Sequence, residues 1–126
     1  MRLLTHNMLT SKCVKGVMQG YPLGIQATKV QVMESDFNKD FVTRVIPKLD
    51  YSTLWNAAKT LGYSAELPET LVENYEGNEE FLRKVHHVLL EIEVVEGDLI
   101  CPETGRKFPI TSGIPNMLLN EDEVRY

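Results

Sequence analysis

The sequence predicts an α+β fold: a small antiparallel β module formed by both chain ends, interrupted by a helical subdomain of about three helices. Three observations predict it. Short runs near the ends alternate polar and apolar residues, as half-buried strands do. Residues 35–91 instead repeat apolar side chains at helical spacing. The charge divides along the same lines. Residues 1–33 hold Arg2, Lys12, Lys15 and Lys29 and no carboxylate, whereas residues 34–98 hold six bases against fourteen acids. Residues 99–120 hold Arg106 and Lys107 against Glu103, and the tail from 121 is acidic again. The net −5 of the 126 residues is therefore basic ends around an acidic middle. The expected division is 1–34 with 92–126 as the β module and 35–91 as the helical insertion.

In chain order, Thr28-Lys29-Val30-Gln31-Val32 is the first expected strand. Phe37, Phe41, Val45 and Ile46 give the first helix of the insertion, started by Asp36 or Asn38 and ended at Pro47. A second helix follows Asp50 or Ser52, with Leu54, Trp55, Ala58 and Leu61 on one face and Gly62 as its left-handed stop. Residues 63–77, with Pro68, Gly77 and four glutamates, read as a loop. The third helix starts at Asn78 and carries Phe81, Leu82, Val85, Val88, Leu89 and Ile92 as a continuous stripe. Glu93–Val95 and Leu99–Cys101 flank Glu96-Gly97-Asp98, which predicts a hairpin turn there. Arg106–Ile110 is a further short strand, restricted by Pro109. Ser112-Gly113 turns the chain into Ile114–Leu119.

Composition excludes several classes. At 14.4 kDa, with 43% hydrophobic and 25% charged residues, the chain suits one domain with a modest insertion and not a disordered one. The only cysteines, Cys13 and Cys101, make no disulfide framework and suit the reducing cytosol or nucleus. No apolar run approaches the roughly 20 residues of a membrane-spanning helix. The negative net charge argues against a chain that grips nucleic acid by itself. No GxSxG, phosphate loop or dinucleotide GxGxxG is present. His86 and His87 are adjacent on a helix and point about 100° apart, so they make no side-by-side ligand pair. The glutamates between Glu66 and Glu80 read as a solvated face.

Two segments carry more information. Cys101-Pro102-Glu103-Thr104-Gly105 has the outline of a zinc-ribbon knuckle, in which Pro and Gly shape a turn that aims two thiolates at one metal. Its second thiolate position is Thr104, a poor ligand, and the facing loop around Ser11–Gly16 supplies only Cys13. With His6 as the one conceivable third ligand, a vestigial, metal-free knuckle is expected. The second segment is Gly113-Ile114-Pro115-Asn116-Met117-Leu118-Leu119. It reads equally as a last core strand and as an edge strand that completes another protein's sheet.

Taken together, Met1–Leu9, Phe37-Asn38, Glu79–Leu82 with His86–Glu91, Glu96-Gly97, Cys101–Arg106 and Gly113–Leu119 resemble the eukaryotic multifunctional methyltransferase subunit family. The likeness is greatest to animal members with a degenerate zinc site, and it runs through the whole chain. It implies a zinc-ribbon-like β module with a helical insertion and no catalytic activity. The implied role is to activate and stabilise S-adenosylmethionine-dependent methyltransferases that act on tRNA, ribosomal RNA and the translation release factor. These catalytic subunits would bind as mutually exclusive heterodimers. S-adenosylmethionine would be bound by the partner, RNA would be met only through it, and no membrane is involved. Cytoplasm and nucleus are the expected locations. Carried onto this chain, the docking strand is Ile114, Pro115, Asn116, Met117, Leu118 and Leu119. An N-terminal patch of Leu4, Asn7, Met8 and Leu9 joins it, with Phe108 beside them. Asn116 is expected to bond either across the interface or within its own turn.

The combined ends, 1–33 and 99–120, carry six bases and one acid. Lys12, Lys15, Arg106 and Lys107 are therefore candidates for a basic rim beside RNA held by the partner. The alternatives are a stand-alone zinc-ribbon-like nucleic-acid-binding protein, disfavoured by charge, and a small metal hydrolase, for which no ligand set is apparent.

Overall fold

The structure is a computed structural model and describes residues 1–63, 65 and 67–123. Ser64 and Glu66 of the expected loop and acidic face, and the Val124-Arg125-Tyr126 end, lie outside the described residues. The helices are α1 (Leu3–Met8), α2 (Lys39–Val45), α3 (Tyr51–Thr60) and α4 (Glu79–His86). The strands are β1 (Gly24–Val32), β2 (Ile92–Ile100), β3 (Lys107–Thr111) and β4 (Ile114–Pro115). They form one antiparallel sheet in the order β1-β2-β3-β4. The fold is α+β.

The caps of the insertion are the ones its sequence supplies. Asn38, Asp50 and Asn78 each accept the backbone N–H three residues on, at 3.1 Å, from Phe41, Thr53 and Phe81. Each bond satisfies one of the orphan donors at a helix start. Pro47 lies in a 3-10 turn, Ile46–Lys48, that closes α2. Gly62 takes a φ of +88° after α3. The stripe beginning at Phe81 is not one continuous α-helix: after His86 the chain widens into a π-helical turn, His87–Glu91, and enters β2. That wider turn brings both histidines toward one carboxylate. His87 Nδ1 lies 2.9 Å from Glu91 Oε1, and His86 Nε2 lies 3.8 Å from Glu91 Oε2.

Two expectations are corrected. The N-terminal end is not all strand. Met1 and Arg2 pair along β2, with Val94 N–H donating to Met1 O at 2.8 Å, and the chain then turns into α1. This helix has no side-chain cap, and what holds it is burial of Leu3, His6 and Asn7. Nor is Glu96-Gly97-Asp98 a hairpin turn; it runs through the middle of β2. Glycine is needed there for close approach: a Cβ on Gly97 would strike the Gln26 carbonyl oxygen and come within 2.8 Å of Ala27 Cα. The turn that does join β2 to β3 is the Cys101–Arg106 knuckle.

The β1–β2 pairing shifts register between Ala27 and Lys29 and again between Lys29 and Val30. A strict alternation from Val94 would point Leu99 outward. The irregularity changes the phase, and both residues are fully buried.

Two apolar clusters result. One joins Leu3 to Val42, Leu54, Leu82, Val85, Leu89 and Ile92 of the helical layer. The other lies under the sheet, with Met1, Val17, Val94, Leu99, Cys101, Phe108 and Ile110. Each fully buried large side chain contributes on the order of 1.5–3 kcal/mol.

Candidate functional site

The knuckle sits at the end of the sheet where the expected metal ligands would meet. Cys101 is 1% exposed, and its sulfur accepts the Ser11 hydroxyl at 3.0 Å. Burial would raise this thiol, but bonds from Ser11, from Thr104 and from the 103–104 backbone outweigh it and hold the thiol below its usual range. Cys13 is exposed. His6 is packed away from both, with Nε2 donating to Leu23 O at 2.6 Å. Among the described residues no three His, Cys, Asp or Glu side chains are grouped to hold a metal. One buried thiol, two hydroxyls and an exposed thiol do not fit a four-coordinate zinc site.

A carboxylate does the tying instead. Glu103, at the knuckle tip, accepts the backbone N–H groups of Met18, Gln19 and Gly20 at 2.9, 2.9 and 2.7 Å. Together with the Ser11–Cys101 bond, it joins the two loops that a zinc ion would otherwise bridge. Sequence reasoning read Glu103 only as a charge, although an acid in a Pro/Gly turn could have signalled a bond to backbone amides.

From the knuckle the chain runs through β3 to a tight turn at Ser112 and Gly113, whose φ angles are +51° and +78°. Such paired positive values suit a two-residue hairpin. β4 follows and is only two residues long, with Ile110 facing Pro115 and Thr111 facing Ile114. One further bond, Asn116 N–H to Pro109 O at 2.8 Å, continues the pairing. Beyond it, among the described residues, the ladder to β3 stops, although the apolar sequence continues.

The predicted docking residues therefore separate by direction. Ile114 is 69% exposed and Leu118 80% exposed, and they flank an open groove floored by Pro109 and Thr111. Pro115 is half-buried between them. Met117 and Leu119 are half-buried because they turn inward onto the cluster under the sheet. Asn116 spends its side-chain oxygen within its own turn, accepting Leu118 N–H at 3.0 Å. Of the N-terminal patch, Met8 is half exposed, while Leu4 and Leu9 are half-buried against the two clusters.

Two predicted contacts are corrected. Asn7 is buried and bonded at both ends, its amide donating to Asp50 O at 2.9 Å and its oxygen accepting Asp50 N–H at 3.0 Å. Phe108 is fully buried. Neither presents its side chain at the surface.

The proposed basic rim is only partly assembled. Lys12, Lys15 and Lys107 are exposed. Arg106 is engaged: its Nε lies 2.7 Å and its Nη2 3.2 Å from the two oxygens of Glu123. Its guanidinium also stands 4.9 Å over the Phe108 ring. The Glu123 partner was invisible in the sequence, seventeen residues away in an acidic tail.

A four-stranded α+β unit whose last strand is two residues long, followed by an apolar segment that leaves the ladder, belongs to the class of small α+β proteins with one sheet edge left open. The sequence profile of the Trm112p-like protein family matches residues 2–113, and the chain belongs to that family. It is 55% identical over 124 residues to the multifunctional methyltransferase subunit TRM112-like protein of Bos taurus, covering 98% of each chain. It is 52% identical to TRM112 homolog A of Arabidopsis thaliana, over 98% of this chain and all of that one. Among solved structures, a chain of the E. cuniculi Mtq2–Trm112 complex, responsible for methylation of the eRF1 translation termination factor, matches with a TM-score of 0.55. That match covers 94% of this chain and 95% of the other at 22% identity, which shows the shared fold.

Proposed function

We propose that this chain is a non-catalytic activating and stabilising subunit of S-adenosylmethionine-dependent methyltransferases that act on tRNA, ribosomal RNA and the translation release factor. The observation that carries the reading is the open edge after β4, in a chain whose relatives are multifunctional methyltransferase subunits along their whole length. A strand of the catalytic subunit pairs with the segment at 114–119, while Ile114 and Leu118 enter its apolar surface. Met8 and Leu9 extend the contact.

The activating effect is mass action. A partner that binds only the folded catalytic subunit stabilises it by RT ln(1 + [L]/Kd), about 2.7 kcal/mol at a hundredfold excess over Kd. Burial of Ile114 and Leu118 supplies on the order of 1.5–3 kcal/mol each, before the cost of association. All partners need the same edge, so they form mutually exclusive heterodimers. The methyl donor and the RNA belong to the partner, no zinc is required, and the complexes occupy cytoplasm and nucleus.

The test is to express the tagged chain in eukaryotic cells and identify what co-purifies. Several methyltransferases are expected; nucleic acid alone, or no partner, would overturn the reading. Leu118→Arg should abolish the capture while leaving the melting temperature of the isolated chain unchanged, since the side chain is 80% exposed.

A further inference from the structure

The segment that leaves the ladder at Asn116 poses a physical question. An extended stretch without sheet partners loses backbone entropy at every residue when it is ordered. If that ordering happened only on docking, it would subtract directly from affinity. Yet residues 116–119 have a defined course, with Met117 and Leu119 turned inward and Leu118 outward.

Besides the inward packing of Met117 and Leu119 and the Asn116 turn, one side chain from outside the segment reaches it: Arg106. Its Nη2 donates to the carbonyl of Leu118 at 3.4 Å, and its Nη1 donates to the carbonyl of Lys107. The remaining face of the guanidinium grips Glu123 through two nitrogens, and the plane rests over the buried Phe108 ring. Glu123 is itself anchored. Its Oε1 accepts Asn120 N–H at 3.0 Å, and its backbone carbonyl accepts Lys15 N–H at 2.7 Å. A continuous path thus runs from the core ring through Arg106 to the acidic 3-10 turn Glu121–Glu123 and across to the loop of residues 11–20. The docking segment lies inside this strap. Bidentate guanidinium–carboxylate geometry is the form of ion pair that best fixes orientation. The hydrogen bond to Glu123 raises the Arg106 guanidinium further above its ordinary value, and hydrogen bonds from Arg106 and the Asn120 backbone hold the Glu123 carboxyl below its usual range.

We propose that Arg106 and Glu123 are positioning residues: they close the acidic tail back over the knuckle and preorganise residues 116–119 for docking to the methyltransferase. This rests on the docking function proposed above. Arg106 is accordingly not an RNA contact, because its donors are spent on the tail and the docking backbone. The strap also gives the acidic tail a purpose that its charge alone did not suggest.

The experiment uses the full chain and the catalytic subunit that co-purifies with it most abundantly, with affinity measured by calorimetry. Glu123→Gln and Arg106→Gln should each weaken binding about five- to tenfold and speed amide exchange at Met117 and Leu119 in the free chain. The charge-swapped double variant, Arg106→Glu with Glu123→Arg, should recover part of the affinity. Raising the salt from 50 to 500 mM should erode part of the advantage of the unsubstituted chain over Glu123→Gln, because the two side chains of the pair are 28% and 24% exposed. Unchanged affinity in both single variants would overturn the proposal, as would weakening without faster exchange or without recovery in the swap. Leu118→Arg is the control: if it too leaves binding intact, the docking reading fails, and if it alone abolishes binding, only the strap fails.

Discussion

Gly97 illustrates how one residue supports two opposite readings. In the sequence, a glycine between Glu96 and Asp98 signals a turn; in the fold, it lets β1 pass so closely that any side chain would strike Gln26. Gly97→Ala should therefore cost about 2 kcal/mol or more, read from a urea midpoint, and far exceed the ordinary penalty for filling a turn. His6 is a second case. It is 3% exposed, Nε2 donates to Leu23 O, and Nδ1 has no partner within the described protein. Burial lowers its pKa below the ordinary 6.5, an effect only partly opposed by the Leu23 bond. Between that lowered value and 6.5 the unfolded chain binds more protons than the folded one, so stability falls as pH drops through this window and levels off below it. Urea midpoints measured from pH 7.5 to 4.5 should show the loss, and His6→Gln should flatten it. Neither property is readable from residue type, because each depends on what another segment places alongside.

At the level of elements, helices α2, α3 and α4 are legible in the sequence and the N-terminal helix is not. Asn38, Asp50 and Asn78 announce their helices locally, through a side chain that reaches three residues ahead. Leu3–Met8 has six residues, no cap and no charged first turn, and becomes helical because Leu3, His6 and Asn7 are buried by distant partners. The candidate site shows the same division. The apolar run Ile114–Leu119 was visible, but its inward and outward faces and the Arg106–Glu123 pair arise from contacts across the fold. The knuckle loops belong to this scale as well. Because Glu103 ties them through three backbone amides, Glu103→Gln should lower stability by about 1–2 kcal/mol, whereas a chelator such as EDTA should leave the thermal midpoint unchanged. A midpoint that drops with EDTA and returns with zinc would contradict the metal-free account.

For the whole molecule, the two apolar clusters meet along β2, which gives Ile92 to the helical layer and Val94 and Leu99 to the sheet layer. Stability and the proposed docking are thus separable: the core lies behind the sheet, and the proposed partner surface lies at its margin. The complex should accordingly melt above both isolated subunits, by an amount that grows with the concentration of this chain as mass action requires. A midpoint of the catalytic subunit that is independent of that concentration would contradict it. The two margins of the sheet differ. On the β1 side the register is broken twice and Lys29 stands exposed in the strand, both features that discourage a neighbour from pairing. On the β4 side the ladder ends after two residues and is free to accept one. A sheet that grows at a single margin behaves as a terminator: added to a larger sheet, it closes the array and leaves no template for a third chain. With the docking proposed above, such a geometry would hold the assembly to a pair and guard against fibre growth, even though the proposed joint is itself a strand-to-strand seam.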